Sequence, residues 1–225
     1  MKLVIIGCGG HGRAVLEIAR RCGHQVVGFI DDDARKQGSV VDDIPVLGGI
    51  DLLMDWPDAE RPHGAVVAVG NNHRRAELFY LVRERAFLTP SLIHPGALIA
   101  THTEIGEGVV VMPRTVINPG VKIEDNVCVK TAAKVDHDCV LHRHYQIYPS
   151  TTLTGGVEVG EYSYVGSAAV VNPYLKIGND SFVGSGAVVI CDIPDGVVAV
   201  GVPARTIKAR RTSGELMGST ASTPK

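Results

Sequence analysis

VEVGEYSYVGSAAVVNPYLKIGNDSFVGSGAVV, residues 157–189, decides the fold. Val159, Val165, Val171, Ile177, Val183 and Val189 stand six apart. Toward the N-terminus the spacing continues without a register break through Leu153, Ile147, Leu141, Val135, Val129, Ile123, Ile117, Val111, Ile105 and Ile99 to Ile93, seventeen aliphatics in all. Four residues after each of them the side chain is mostly small or β-branched, as at Val109, Thr115, Val121, Ala133, Cys139, Ala169 and Ala187. Glycine often follows the aliphatic directly, at Gly106, Gly160, Gly166, Gly178 and Gly184. A six-residue repeat of this kind specifies a parallel β-helix, each hexad giving one short strand and one turn. The aliphatic points inward, the small residue packs beside it, and the glycines are expected to relieve the backbone at the corners.

Upstream, residues 1–90 alternate strand and helix. KLVIIG is an apolar run of strand type ending in GCGGHG, and RAVLEIARRCG has helical spacing, with Ala14, Val15, Ile18, Ala19 and Cys22 able to share a face. HQVVGFIDDD and HGAVVAVG read as further strands, and AELFYLVRERAF as a second helix. That alternation implies a parallel sheet with ligand-binding loops at the strand C-termini. Gly7, Gly9 and Gly12 fit G-x-G-x-x-G, and Asp31 follows at the end of the next strand. Glycines let a phosphate approach the backbone, and a helix N-terminus favours its charge. Only one mononucleotide-binding half is present, which favours a nucleotide or nucleotide sugar over NAD, with a purely structural tight turn as the alternative.

Composition narrows the classes further. Of 225 residues, 45% are hydrophobic and 20% charged, ordinary for a globular chain with a sizeable core. A net charge of −2 gives no general attraction to nucleic acid or membrane. The five cysteines form no C-x-x-C pair and are odd in number, which points to a reducing, cytoplasmic compartment. Only four apolar residues separate Lys2 from Gly7, so no signal peptide is read, and no run reaches transmembrane length. The expected fold class is an α/β half-Rossmann-like domain with a parallel sheet over 1–90 plus an all-β parallel β-helix over 91–207. A tail covers 208–225, and its end, TSGELMGSTASTPK, lacks apolar periodicity and reads as disordered.

The ending DIPDGVVAVGVPAR (192–205) resembles the segment that closes the left-handed β-helices of hexapeptide-repeat acyltransferases and borders their coenzyme A site. GCGGHG, FIDDD, AVGNN, LIHPGALI and the hexads carrying VDHDC together resemble the sialic acid O-acetyltransferase and bacillosamine-pathway sugar N-acetyltransferase group. The resemblance implies a left-handed helix and a homotrimer with active sites between subunits. It implies acetyl-CoA as acyl donor, no required metal, and transfer to an amino group, at C4, of a nucleotide-linked amino sugar in surface glycan synthesis. O-acetylation of a sialic-type sugar is the alternative.

The same resemblance assigns roles. His137, two residues after the inward Val135 and so at an outward turn, would be the general base, and Asp138 would fix its tautomer; Asp136 competes for that place. A backbone N–H at Gly155 would hold the oxyanion. Gln146, where a second histidine is usual, would lie near the acetyl group, and Ser167, Ser185, Gly201, Pro203 and Arg205 would line the coenzyme. Gly9, Gly10, His11 and Gly12 would form the phosphate loop, Asp31 and Asp32 would face base or ribose, Asn71 and Asn72 would close the pocket, and Arg75 would reach a phosphate. His142 and His144 are read as outward on the next strand, and Lys208, Arg210 and Arg211 as a solvated helix or contacts to the coenzyme's phosphates. A zinc reading in the manner of gamma-class carbonic anhydrases would use His137 and His142, but two coils before His137 stands Thr101, with His102 one place off. A non-catalytic nucleotide-binding scaffold is the remaining alternative.

Overall fold

The computed structural model describes residues 1–57 and 61–210. The N-terminal sheet has the order β3-β4-β2-β1-β5, with β1 (Lys2–Ile6) parallel to both β2 (Gln25–Ile30) and β5 (Gly64–Val67). β5 and all of β1 after Lys2 are buried, as their unbroken apolar runs require for strands covered on both faces. α1 (Gly10–Arg21) buries Val15, Leu16, Ile18 and Ala19. It can start so close to β1 only because residue 12 is glycine: a Cβ there would stand 1.9 Å from the Gly7 carbonyl oxygen. α2 (Asn72–Glu84) begins earlier than its apolar pattern suggests, because the Asn71 side chain caps it by accepting from Arg74 N–H. The hairpin β3 (Val40–Val41) and β4 (Ile44–Gly48) was not foreseen. Its turn places Asp42 and Asp43 at φ 48° and 67°, a conformation usually signalled by Asn-Gly.

From Leu92–Ile93 to Val188–Val189 the chain forms seventeen two-residue strands in three parallel sheets. Each strand pairs with the one eighteen residues on, as Ile117, Val135 and Leu153 do, so three hexads make one coil. The inward aliphatics from Val111 to Val189 are buried in one core, together with the small residues beside them. The first face carries the strands at 98, 116, 134, 152, 170 and 188, the second those at 104, 122, 140, 158 and 176, and the third those at 92, 110, 128, 146, 164 and 182. The third face continues into Val197–Val200, which pairs antiparallel with Arg205–Ala209.

Two expectations change here. The left-handed backbone conformation falls at the third residue after each aliphatic, from His102 to Gly186, and most of those residues are not glycine. The glycines directly after the aliphatic serve close approach instead: a Cβ on Gly166 would lie 2.5 Å from Ser185 N in the next coil. The basic run also changes: residues 205–209 are a strand that extends the third face, not a solvated helix. The tail read as disordered, and Arg211, lie outside the described residues.

The third face is where the N-terminal domain docks. Its outward residues Leu92, Val110 and Cys128, with Met112, join Val15, Ile18 and Ala19 of α1 in one core. From α2, Asn72 donates through Nδ2 to the Tyr162 and Ser163 carbonyls, and its N–H donates to the Tyr164 hydroxyl. No helix among the described residues is long and apolar enough to cross a membrane.

Candidate active site

The corner between the first and second faces holds His137. Val135 and Cys139 are buried inside the prism, which throws the intervening residues outward. Asp138 occupies the left-handed position, φ 59°, and its carboxylate turns back so that Oδ2 lies 2.9 Å from His137 Nδ1. That hydrogen bond is the main reason the His137 pKa is raised above 6.5. Asp136 does not compete for the ring: Oδ1 accepts from the His137 N–H at 2.8 Å and from Asn118 Nδ2 at 2.7 Å. It fixes the backbone of the corner.

One coil on, Gly155 lies beneath the imidazole. A Cβ at residue 155 would come within 2.5 Å of both Cε1 and Nε2 of His137, so only glycine leaves the ring its place. At this corner position, two residues after the aliphatic, the N–H points out of the prism. Glu107, Arg143, Glu161 and Asn179 donate theirs to side chains of neighbouring coils. The N–H groups of Gly155, Ser167 and Ser185 have no acceptor among the described residues. They are fixed donors available to a ligand.

Ser167 and Ser185 stand on a different edge, between the third and first faces, together with Gly201 and Pro203. Within one chain the first face therefore separates the His137 edge from the serine edge. Arg205 is exposed on the last strand, donating to the Ala204 carbonyl.

Three assigned residues are placed otherwise than expected. Arg75 is wholly buried, and its guanidinium donates to the carbonyls of Val69, Asn126, His144 and Tyr145 and to Gln146 Oε1. It does not reach a phosphate, because it is spent on joining α2 to the β-helix. Gln146 is buried on the third face under that same arginine, away from the His137 corner of its own chain. Asn72 is buried and bonded across the same interface. His144 also departs from its expected outward place. It is buried at the corner between the second and third faces, with Nδ1 2.8 Å from Asn126 Nδ2 and Nε2 2.9 Å from the Tyr80 hydroxyl. Burial, with the Arg75 and Arg143 charges, lowers its pKa to about 4. His142 stays half-buried between Glu124 and Glu158 of adjacent coils.

In the N-terminal domain Asp31 and Asp32 meet Gly7 at the strand ends, around a cavity that Gly9, Gly10, His11, Gly12, Asn71 and Asn72 do not line. The cavity, of about 200 Å³, is lined by Gly7, Asp31, Asp32, Ile50 and Arg74 among others. Burial pushes the Asp31 carboxyl up, but hydrogen bonds from the Cys8 and Asp33 N–H groups, the Cys8 thiol and Lys36 outweigh it and hold the pKa at about 2. Asp32 accepts from Ile50 N–H and Arg74. Gly9 and Gly10 have open space where side chains would stand. His11 turns from the loop toward the β-helix, where Lys130 Nζ lies 2.9 Å from Nδ1 and 3.1 Å from Nε2. Lys130 was missed in the sequence. It directly follows an inward aliphatic, Val129, and looked like an ordinary solvated strand lysine.

Comparison with known proteins finds relatives of both halves of the chain. Residues 2–81 match the PglD N-terminal domain model, and residues 102–137 match the bacterial transferase hexapeptide (six repeats). GDP-perosamine N-acetyltransferase of Escherichia coli O157:H7 is 28% identical over 220 residues, covering 93% of this chain and 97% of that protein. A perosamine N-acetyltransferase variant from Caulobacter crescentus, solved with CoA and GDP-perosamine, superposes with TM-score 0.88 and 38% identity over 92% of this chain and 97% of that one. The acetyltransferase domain of PglB from Neisseria gonorrhoeae, solved with acetyl coenzyme A, gives TM-score 0.84 and 39% identity over 92% and 98%.

Proposed function

Because the chain belongs to the PglD-like group of hexapeptide-repeat, left-handed β-helix sugar acetyltransferases, we propose the following reaction for it. It transfers the acetyl group of acetyl-CoA directly to an amino group, at C4, of a nucleotide-linked amino sugar. The observation that carries this reading is the His137 corner: an outward imidazole, held through Nδ1 by Asp138, with Nε2 over Gly155, where any side chain would collide with the ring.

The chemistry follows from that geometry. With Nδ1–H donated to Asp138, Nε2 carries the free lone pair. As the acceptor nitrogen attacks the thioester carbonyl, Nε2 takes its proton. The oxyanion forms beside the outward Gly155 N–H, a donor fixed before reaction. The C–S bond then breaks, the thiolate of coenzyme A leaves, and the imidazolium returns the proton to sulfur. The products are the sugar amide and free coenzyme A, with no covalent enzyme intermediate.

The outer surfaces support a homotrimer with sites between subunits. The second face shows Glu104, Lys122, Glu158 and Lys176 to solvent. The first face shows Leu98, Val116, Thr152, Val170 and Val188 instead, with Lys134 the one charge among its strand residues. A second copy packed along that face would bring the His137 edge of one subunit to the Ser167–Ser185 edge of the next, so that both line one coenzyme. The acceptor's nucleotide would lie in the Asp31–Asp32 cavity, its phosphates at Gly9–Gly12, in a cytoplasmic enzyme of surface glycan synthesis.

Thiol release from acetyl-CoA across UDP-, dTDP- and GDP-linked 4-amino sugars tests this, GDP-perosamine first, since it is the compound bound in the Caulobacter relative. Turnover is expected with at least one amine and with none of the N-acetylated products. Release with no amine, or with a hydroxyl acceptor alone, would sink the reading.

A further inference from the structure

We propose that Lys130, reaching from the β-helix into the phosphate loop of the N-terminal domain, is the counter-ion for the diphosphate of the acceptor and so a specificity residue of this enzyme. The proposal rests on the nucleotide-sugar reading above.

Two positive charges stand where the domains meet, Arg75 wholly buried and Lys130 partly buried, and among the described residues neither is paired with a carboxylate. Arg75 is satisfied by carbonyls and the Gln146 side chain alone. The lysines in ion pairs among the described residues are Lys36, Lys122 and Lys176, not Lys130. Burying charge without counter-charge is costly, and proteins seldom keep such a group without a use for it. Here the cost is visible: burial first, and then the Arg75 charge, lower the Lys130 pKa to about 8, and burial with the same two cations keeps His11 neutral.

The contact with His11 does not use up the ammonium. One Nζ within 2.9 and 3.1 Å of both ring nitrogens sits beside the imidazole, not in line with a single lone pair. Neutral imidazole offers one acceptor, while an ammonium has three N–H donors. Lys130 therefore keeps donors to spare, next to His11 in the first turn of α1. In the same loop, Gly9 and Gly10 have open space where side chains would stand. Asp31 is engaged by Cys8, Asp33 and Lys36, so no carboxylate answers Lys130, and a diphosphate would. Arg75 is sealed in and cannot serve, and Arg74 and Lys36 at the cavity are already paired with Asp32 and Asp31, whereas Lys130 is not in an ion pair among the described residues. Along the same edge, one coil on, comes Tyr148, and beyond it the Ser167 and Ser185 N–H groups. The lysine thus stands where the acceptor's phosphates and the acyl donor's arm would meet.

Calorimetric binding of GDP, UDP and dTDP, each against its nucleoside, tests the proposal on the full chain. For the diphosphate that wild type binds best, Lys130→Met should weaken binding about tenfold or more, while nucleoside binding changes less than about twofold. Lys130→Arg should restore diphosphate binding. Between about pH 7.5 and 9.5 wild-type affinity for the diphosphate should fall, because the free lysine loses its proton there, whereas Lys130→Arg should stay flat. The groups facing Lys130 are His11 from α1, Arg75 from α2 and the Cys128 thiol of its own strand; a pH effect from Cys128 would persist in Lys130→Arg. The melting temperature of Lys130→Met should equal or exceed that of wild type, since an uncompensated charge is removed. Equal losses for nucleoside and diphosphate, or a diphosphate loss under twofold, would overturn the assignment and leave Lys130 a prop for His11. Failure of wild type to bind any of the three diphosphates would overturn the nucleotide reading itself.

Discussion

Two corners of the same β-helix carry histidines and treat them oppositely. His137 is at the corner between the first and second faces, His144 at the next one along. Both belong to hexads of ordinary pattern. Over His144 lies α2, so that Phe79, Tyr80 and Tyr162 surround the ring and Asn126 takes its other nitrogen. No aromatic ring among the described residues stacks on His137, which is exposed, and Asp138 holds its ring. The buried ring has its pKa lowered to about 4, while the exposed one is raised above 6.5. In this fold the hexad makes the corner, and what packs on the corner decides whether a histidine is mortar or base.

Replacing the two residues should therefore break different things. His137→Ala should cut kcat by about 10²–10⁴-fold in the thiol-release assay with the melting temperature almost unchanged, since the side chain is half exposed. A loss under tenfold would remove His137 as base. The buried histidine gives the next largest effect, on stability. Its folded pKa lies below the unfolded value near 6.5, so its contribution is complete above 6.5 and declines as pH falls toward about 4. The decline should be on the order of 3 kcal/mol, read as denaturant midpoints across that range, and His144→Gln should flatten it. If wild type and variant fall in parallel, His144 is not the group responsible. Asp138→Asn should give the smallest shift. The base must be neutral, and Asp138 raises its pKa, so the acid limb of kcat/KM should begin above 6.5 and move to lower pH in the variant. An unmoved limb would mean that Asp138 does not tune the ring.

The aliphatic hexads made the β-helix legible at once, and VDHDC made its reactive corner legible with it. Gly155 could be read only from the family resemblance; in the structure it lies one coil, eighteen residues, past His137. The docking face was legible in principle: Leu92, Val110, Cys128, Tyr164 and Phe182, each just before an inward aliphatic and eighteen apart in order except for Gln146, are apolar where the second face has charges. That signal appears only at a period three times the obvious one. Arg75 and Lys130 could not be read. A cation bonded to carbonyls, or waiting for a ligand, leaves no partner of opposite charge in the sequence. The β3–β4 hairpin escaped because Asp-Asp is a weak turn signal for two residues with positive φ.

The eighteen-residue coil also restricts how such a chain can change in length. Six residues inserted into the coils between Ile99 and Val127 would keep every aliphatic inward but rotate all that follows by one face. Cys128, Gln146 and Tyr164 would leave the N-terminal domain, and His137 would arrive at the wrong edge. Only whole coils can be gained or lost there without remaking both contacts, so variation in this part of the molecule is quantised in steps of three hexads.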